Sequence, residues 1–581
     1  MTIKAVKEKK EVYPIYPISD WGVEKYGVTL YVNNHSLRYG MKDGVALDVE
    51  DDEQGNFVGL GIYEPSSNSV YYWSDFNLAK EVAIPKFVAH NGVSDLTKLQ
   101  KWGFKVDESC ILWDTMLMEH VLDSSKHTYG LKALISDLGI NYPHYDDIVG
   151  KKTKKQIKPR ITLDKQPLEL VANYCSMDCY STYKLYEDQM RRLNDKAVSL
   201  NYHNQIELPA SFVFQKMSHR GIRVDLPYLN ELKALLEPQR EAVKGSILSE
   251  LGEINLNSPK QLLEALNAKG VTPVMKGKGS TDKRALEAWR AKPVVESLLK
   301  YSELDTLLTS FVYPYLERNS EFVHPKFLQV GTRTGRLSCS NPNLLQIPKR
   351  SDNGKLVRRM FIPRNGYLFG DCDFGNIEPR LLAHFSKDPV LCEMFNSGVD
   401  FHTYTADRLS ISRDRAKILN LSVGYRATFK SVSQQLKCSP ETAQKEIDKW
   451  WSLFPSLYDW QQALIHVTKQ TGYCTTLMGR RIKVDNLTAT NPWTREAAER
   501  QLINNLCQAS AAEIMKLAMI EVDKAKIDIL VQVYDEILFE SPECNISSDI
   551  EIVIDKMINA CKLIIPITVK SKIGNNWSEC S

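Results

Sequence analysis

The sequence predicts a multidomain chain, an α/β domain followed by a larger α+β region. Three observations carry this expectation. The chain has 581 residues, several times the usual domain size, so roughly three to five domains are expected. Strand-like apolar stretches alternate with helical periodicity up to about residue 200. Beyond about residue 325, strand-like stretches bracket a long helix-rich segment.

Residues 45–63 read as two strands, VALDVE and FVGLGIY, joined by an acidic turn, and FVAH at 87–90 reads as a third. Helical patterns follow at 114–122, 129–138 and 168–193. The run KKTKKQIKPR at 151–160 has no periodicity and reads as an exposed loop. Residues 205–320 are mostly helical, including 227–251 and 258–266, with a Gly/Lys-rich break at 276–280. YLFGDCDF at 367–374 reads as a buried strand and ILVQVYDEILFE at 529–540 as a β-hairpin, with helices over 388–470.

A hydrophobic fraction of 43% with 25% charged residues fits globular folding and excludes a disordered chain. The opening residues lack an apolar core segment, and no apolar run reaches spanning length. A cytoplasmic protein without membrane contact is expected, with its 12 cysteines reduced. No C-x-x-C pair occurs, and Cys175 and Cys179 read as small buried residues rather than zinc ligands. Net charge is only +3, yet residues 331–360 hold seven basic residues (Arg333, Arg336, Lys349, Arg350, Lys355, Arg358, Arg359) against one acid, Asp352. Such a patch suits a phosphate backbone.

Two groups of carboxylates stand out. Asp48 and Glu50 alternate on a strand, so both project from one face, where they can share a divalent cation. Asp95 follows FVAH by five residues, and Tyr174 and Asp178 lie four apart on one helix face. Converging acids of this kind suit two-metal hydrolysis of a phosphodiester, with ions about 3.5–4 Å apart. In the second group, Asp371 and Asp373 share a strand face, and pattern alone leaves open which one holds a metal. Asp535 and Glu536 fall at the expected hairpin turn. Between these lies a helix with Arg413, Lys417, Leu421 and Tyr425 at steps of four. Each step drifts only about 40° around the axis, so the four form one stripe. Its cations suit a triphosphate, and its bulky end a sugar and base.

The first group resembles the DEDDy-type 3′→5′ exonuclease domain, with D-x-E at Asp48/Glu50, N-x-x-x-D at Asn91–Asp95 and Y-x-x-x-D at Tyr174–Asp178. The second closely resembles family-A DNA polymerases, the group of bacterial DNA polymerase I and many phage replicases. Asp373 to Arg380 is similar to motif A, which selects Asp373 over Asp371 as the ligand, and the Arg413–Tyr425 stripe is similar to motif B. Tyr534, Asp535 and Glu536 occupy motif C. Thr334–Ser338, Pro342–Pro348 and the helical trio Arg500, Asn504 and Gln508 are similar to segments that track primer and template.

The resemblance implies a ribonuclease H-like exonuclease domain and a right-hand polymerase. Expected bounds are 1–200 for the exonuclease, 201–330 for the thumb and start of the palm, 331–387 for the palm with motif A, 388–490 for the fingers, and 491–581 for the palm with motif C. It further implies two Mg²⁺ ions per site, with Mn²⁺ as an alternative, held by Asp48, Glu50, Asp95 and Asp178 in one site and by Asp373 and Asp535 in the other. Tyr174 would help position the attacking water. Arg413, Lys417 and His402 would grip the dNTP triphosphate, Leu421 and Tyr425 would line its sugar and base, and Glu378 would exclude a ribose 2′-hydroxyl. Glu536 would support catalysis less directly. Arg336, Arg350, Asn343, Gln346, Arg500, Asn504 and Gln508 would touch DNA. The implied partners are primer–template DNA and dNTPs, and the implied state is a monomer.

Several positions depart from the family pattern: Leu421 for Phe or Tyr, Tyr534 for His, Arg426 for Gly, Gly375 for Ser, and Pro379 within motif A. Pro379 is tolerable where it opens a helix. The exonuclease motifs begin by Asp48, which leaves no room before them for a 5′ flap nuclease, and 205–330 leaves none for a large thumb insertion. A phage or prophage replicase is therefore expected, with a bacterial or organellar repair enzyme as the alternative.

Overall fold

The computed structural model describes residues 17–34, 41–150, 161–193, 196–275, 277–349 and 352–580. Arg350 and the basic run 151–160 lie outside the described residues.

The first sheet has six strands: β1 (Thr29–Val32), β2 (Val45–Asp51), β3 (Phe57–Glu64), β4 (Ser69–Trp73), β5 (Phe87–Ala89) and β6 (Ile111–Asp114). Their order is β1-β4-β3-β2-β5-β6, with β2, β5 and β6 parallel and β2, β3 and β4 antiparallel. Alternation along β2 divides its side chains between two cores. Val45, Leu47 and Val49 enter one with Leu96 and Leu99, while Ala46 enters the other with Leu170 and Val171 of the helix Leu168–Arg192. Asp48 and Glu50 have the parity of Ala46 and so share the face covered by that long helix.

The expected strands and the long helix are present, with local differences. The predicted helix at 129–138 is shorter, Leu131–Ile135 followed by a 3₁₀ turn at Ser136–Leu138, because Gly130 begins it and Gly139, in the left-handed region, ends it. The Gly/Lys-rich break is a two-stranded ribbon, Val274–Met275 with Lys278–Gly279.

A second, antiparallel sheet organises the rest: β7 (Tyr367–Phe374), β8 (Asp528–Val533), β9 (Glu536–Pro542) and β10 (Val569–Gly574), in the order β8-β9-β7-β10. One face packs on the helices Leu208–Arg220, Pro492–Lys524 and Ile546–Asn559, and the other meets Trp577, Phe361 and the helix Leu226–Leu251. Helices between Pro389 and Thr471 form a separate core around Trp450 and Phe454. Among the described residues, no helix is long and apolar enough to cross a membrane.

Candidate active sites

The first site forms where β2 meets two helices. Buried Asp114 accepts from the backbone N–H of Asn91 at 3.3 Å and of Gly92 at 2.8 Å, fixing the start of the helix Gly92–Lys101. That helix carries buried Asp95 in its first turn. Tyr174 and Asp178 come from the helix Leu168–Arg192. The four acids act on one another electrostatically. Burial, then the charge of Asp178, raises Asp48 to about 7, and burial, then neighbouring carboxylates, lifts Glu50 and Asp95 well above the usual range. Asp48 and Glu50 lie close enough, with the Cys175 thiol, to share one cation, and Asp95 and Asp178 are near enough to act on them.

Three neighbours were not foreseen from sequence. Lys132 donates to the Tyr174 hydroxyl at 2.7 Å and pairs with Asp178 at 3.4 Å. Tyr142 donates to Asp178. The Cys175 thiol donates to Asp48 Oδ2 at 3.6 Å, so this cysteine touches the acidic cluster and is more than core filling. Its sulfur, one turn from Cys179, occupies space left by Gly61, where an added Cβ would stand 2.8 Å from both sulfurs.

The second site forms at one end of the four-stranded sheet. Register places Asp373 opposite Glu536 on one side and Lys570 on the other, and Phe374 N–H bonds to Asp535 O at 3.0 Å. Phe369, Asp371 and Asp373 share one strand face, graded from core to cleft. Only Asp373 of the two aspartates lines the cleft, an opening of about 840 Å³ that also meets Asp535, Glu536, Glu378, Tyr425, Leu421 and Lys349. Burial, then Asp535, raises Asp373 to about 7, while burial, then Glu536, raises Asp371 to about 9. Burial raises Asp535 as well, with Glu378 adding to it.

Glu536 corrects one expectation. It does not sit at the hairpin tip but begins β9, nearly fully buried. Lys349 donates to it at 2.6 Å, Trp577 Nε1 at 3.4 Å, and Arg358 lies 3.6 Å away. Arg358 is therefore a buried counter-ion, although its sequence neighbourhood reads as a phosphate-binding patch. Tyr534 does occupy the tip, exposed and in the left-handed region at φ +57°.

The predicted stripe is also revised. The helix Arg413–Ser422 stops before Tyr425, which lies in a 3₁₀ turn, Val423–Tyr425. Tyr425 nevertheless reaches the cleft floor and donates to Glu378 at 3.1 Å. Leu421 lines the cleft, half exposed. Arg413 and Lys417 stand apart from the cleft lining, near His402; Arg413 pairs with Asp400 at 3.1 Å, and His402 meets Asn420 at 3.1 Å. Burial lowers the His402 pKa.

Arg336 contacts Glu378 and lies over the Tyr534 ring at 5.6 Å. Asn343 caps the short turn Leu344–Gln346, accepting from Leu345 N–H at 3.1 Å, and Gln346 is exposed. Arg500, Asn504 and Gln508 share a face of the helix Pro492–Lys524, all partly exposed.

The departures have local causes. A Cβ at Gly375 would stand 2.4 Å from Thr568 Oγ1, which is why serine does not fit there. Arg426 takes a left-handed φ of +61°, a conformation that favours glycine, and its guanidinium reaches Glu499 at 3.4 Å. Pro379 is the third residue of the helix Ile377–Ser386, where a missing N–H costs no helical bond.

The sequence model for DNA polymerase family A matches residues 226–579. DNA polymerase I of Borreliella burgdorferi is 30% identical over 519 residues, covering 85% of this chain and 56% of that protein. The thermostable DNA polymerase I of Thermus filiformis is 35% identical over 419 residues, covering 68% of this chain and 50% of that protein. The chain thus spans about half the length of these curated relatives. Both are bacterial, whereas the sequence pointed to a phage or prophage replicase. Among solved structures, the POL domain of Pol1 from M. smegmatis, in complex with DNA primer-template and dNTP, superposes with a TM-score of 0.79 at 26% identity. That match covers 94% of this chain and 97% of the other. With more than half of its residues matched by the family model and its carboxylates gathered on the second sheet, the chain belongs to DNA polymerase family A.

Proposed function

We propose that this chain copies a DNA template from dNTPs at the Asp373/Asp535 cleft and removes mismatched 3′ ends at the Asp48/Glu50/Asp95/Asp178 cluster. The observation that carries the first activity is the strand register that sets Asp373 beside Asp535 on a cleft floored by Glu378 and Tyr425. Divalent ions fit both sites. The buried Oδ1 of Asp373 has no hydrogen-bond partner among the described residues, and the first cluster gathers carboxylates whose mutual repulsion a cation would relieve. Asp373 and Asp535 would hold Mg²⁺ or Mn²⁺ in the cleft, and Asp48, Glu50, Asp95 and Asp178 in the other site. When bound, the ions would activate the attacking oxygen and neutralise charge on the leaving group.

The chain's own residues supply the remainder. Glu378, held by Tyr425 and Arg336, would meet a ribose 2′-hydroxyl and so favour deoxynucleotides. Arg413, Lys417 and His402 offer cationic and polar groups to a triphosphate, positioning it for in-line attack. Lys349 neutralises Glu536 and keeps its carboxylate behind Asp535. Arg336, Arg350, Asn343, Gln346, Arg500, Asn504 and Gln508 would follow primer and template. In the first site, Lys132 orients the Tyr174 hydroxyl, which would position water.

On this reading, residues 1–200 belong to the exonuclease, 201–330 to the thumb and start of the palm, 331–387 and 491–581 to the palm, and 388–490 to the fingers. The protein would act as a monomer on primer–template DNA. Incubating it with a recessed primer–template and Mg²⁺ tests both activities. Extension with dNTPs but not rNTPs is expected, as is shortening of a mismatched 3′ end without nucleotides. No extension would end the polymerase reading, and no shortening would end the proofreading one.

A further inference from the structure

Arg336 closes a short loop that begins at Thr332, and this loop is gripped from outside by two side chains. His120 Nε2 lies 2.8 Å from the Thr332 carbonyl. Arg480 NH2 donates to Thr334 O at 2.7 Å, and its NH1 lies 3.5 Å from Arg333 O. Three successive carbonyls are therefore held. Inside the loop, Thr332 Oγ1 donates to Arg336 O at 2.8 Å. Gly335 turns the chain at φ +76°, with Arg480 NH2 3.1 Å from where a Cβ would stand.

The two gripping residues come from different parts of the molecule. His120 belongs to the helix Thr115–Leu122, beside the six-stranded sheet. It is buried, and its Nδ1 has no partner among the described residues. Burial, then the Arg480 charge, lowers it to about 3, so the ring is neutral and carries its hydrogen on Nε2, as a bond to a carbonyl requires. Arg480 follows the strand Tyr473–Thr475 and is fully buried, with its Nε 3.7 Å from Glu513. Glu513 is itself fixed by Thr476 Oγ1 at 2.6 Å and Met478 N–H at 3.1 Å. Glu207 and Lys516, paired at 2.7 Å, supply a second buried ion pair beside it. Buried pairs of this kind add little net stability and are better understood as fixing geometry.

We propose that His120 and Arg480 are positioning residues for Arg336, so that the N-terminal domain takes part in selecting the nucleotide sugar. This rests on the polymerase reading, with Glu378 as the group that meets the sugar. Among the described residues, Glu378 bonds to Arg336 and Tyr425. A slack loop withdraws the first, the carboxylate swings aside, and a ribose 2′-hydroxyl is admitted.

Single-nucleotide incorporation per titrated active site, with dNTP and rNTP, tests this. His120→Phe fills the space without an N–H donor, and Arg480→Lys keeps the charge toward Glu513 but cannot span two carbonyls. Each is expected to lower the dNTP:rNTP ratio of kcat/KM about tenfold. His120→Gln, which can donate to Thr332 O, should stay within about threefold of the unmodified protein. Hydrogen exchange over residues 332–338 should accelerate in the first two variants and not in the third. An unchanged ratio with unchanged exchange in both His120→Phe and Arg480→Lys overturns the proposal, even if less protein folds. Should the unmodified protein incorporate nothing, the polymerase reading fails, and the exchange measurement alone decides whether these residues hold the loop.

Discussion

At the first carboxylate cluster Lys98 pairs with Asp51 beside it at 2.7 Å, and Lys132 pairs with one of its four acids, Asp178, at 3.4 Å. At the second, Lys349 and Arg358 reach the rear carboxylate itself, Glu536, at 2.6 and 3.6 Å. The cleft site therefore carries cations fixed against its rear carboxylate, while its front acids, Asp373 and Asp535, form no ion pair among the described residues. Among the described residues, Asp48, Glu50 and Asp95 pair directly with no cation, Lys98 and Lys132 only partly offset their charge, and a proton or a bound divalent ion would hold the rest. Two sites of similar composition thus differ in how far the chain prepays their electrostatic cost.

The largest expected effect tests whether the two sites are separate at all. Asp373→Ala should lower dNTP incorporation on the order of a thousandfold or more while leaving 3′ shortening intact. Asp48→Ala should do the reverse. Gel assays of extension and shortening on the same labelled primer measure both, and loss of both activities from either change would break the comparison.

Next is the coupling of metal to protons. Asp48 and Asp373 titrate near 7 in the folded protein, against about 4 in the unfolded chain. Between those values the folded state binds more protons, so without metal its stability falls as pH rises through that window. A divalent ion competes with those protons and should stabilise more at pH 8 than at pH 5, by about 2 kcal/mol. Urea unfolding with Mg²⁺ and with a chelator measures this. Asp48→Asn should remove more of the pH dependence than Asp373→Asn, because the Asp48 charge is, after burial, the main cause that raises Glu50 and Asp95. Equal Mg²⁺ stabilisation at both pH values would contradict the assigned shifts.

Much of this arrangement was legible because strand and helix periodicities are local. Asp48 and Glu50 on one face, β7 at Tyr367–Phe374 and the helix Leu168–Arg192 all follow from spacing. Contacts across long sequence separations were not legible. Nothing around Lys349 or Arg358 marks them as partners of Glu536, 187 residues beyond Lys349; both read as members of a solvent-facing basic patch. Tyr425 falls at a helical spacing, yet the helix ends at Ser422, because periodicity carries no record of where backbone bonding tightens into a 3₁₀ turn. The contact of Cys175 with Asp48 and the role of Lys132 were not legible for the same reason: their partners lie on other elements.

A smaller effect bears on the cations inside the cleft. Lys349→Met would leave the buried Glu536 with Arg358 and Trp577. Because Lys349 is partly exposed and a second cation remains, the expected cost is about 1–2 kcal/mol in stability. A several-fold lower kcat for incorporation should accompany it, about fivefold, with dNTP KM and 3′ shortening unchanged. A change in 3′ shortening equal to that in incorporation would show that the loss is global and that Lys349 has no local task.

The smallest effect concerns Leu421, which lines the cleft. Half of its surface is exposed, and on the proposed reading it faces the sugar and base. A phenyl ring there would offer the incoming nucleotide a flat face, whereas leucine offers branched methyls. Leu421→Phe should therefore speed dNTP incorporation a few-fold, roughly 1 kcal/mol or less of added stacking, and shift the preference between deoxy- and dideoxynucleotides. Because the residue is remote from the first cluster, 3′ shortening should not change. Pre-steady-state incorporation of a dNTP and its dideoxy analogue measures the split. If rate and chain-terminator use both stay the same, the cleft's sugar contacts are set by Glu378 and Tyr425 alone, and Leu421 only closes its rim.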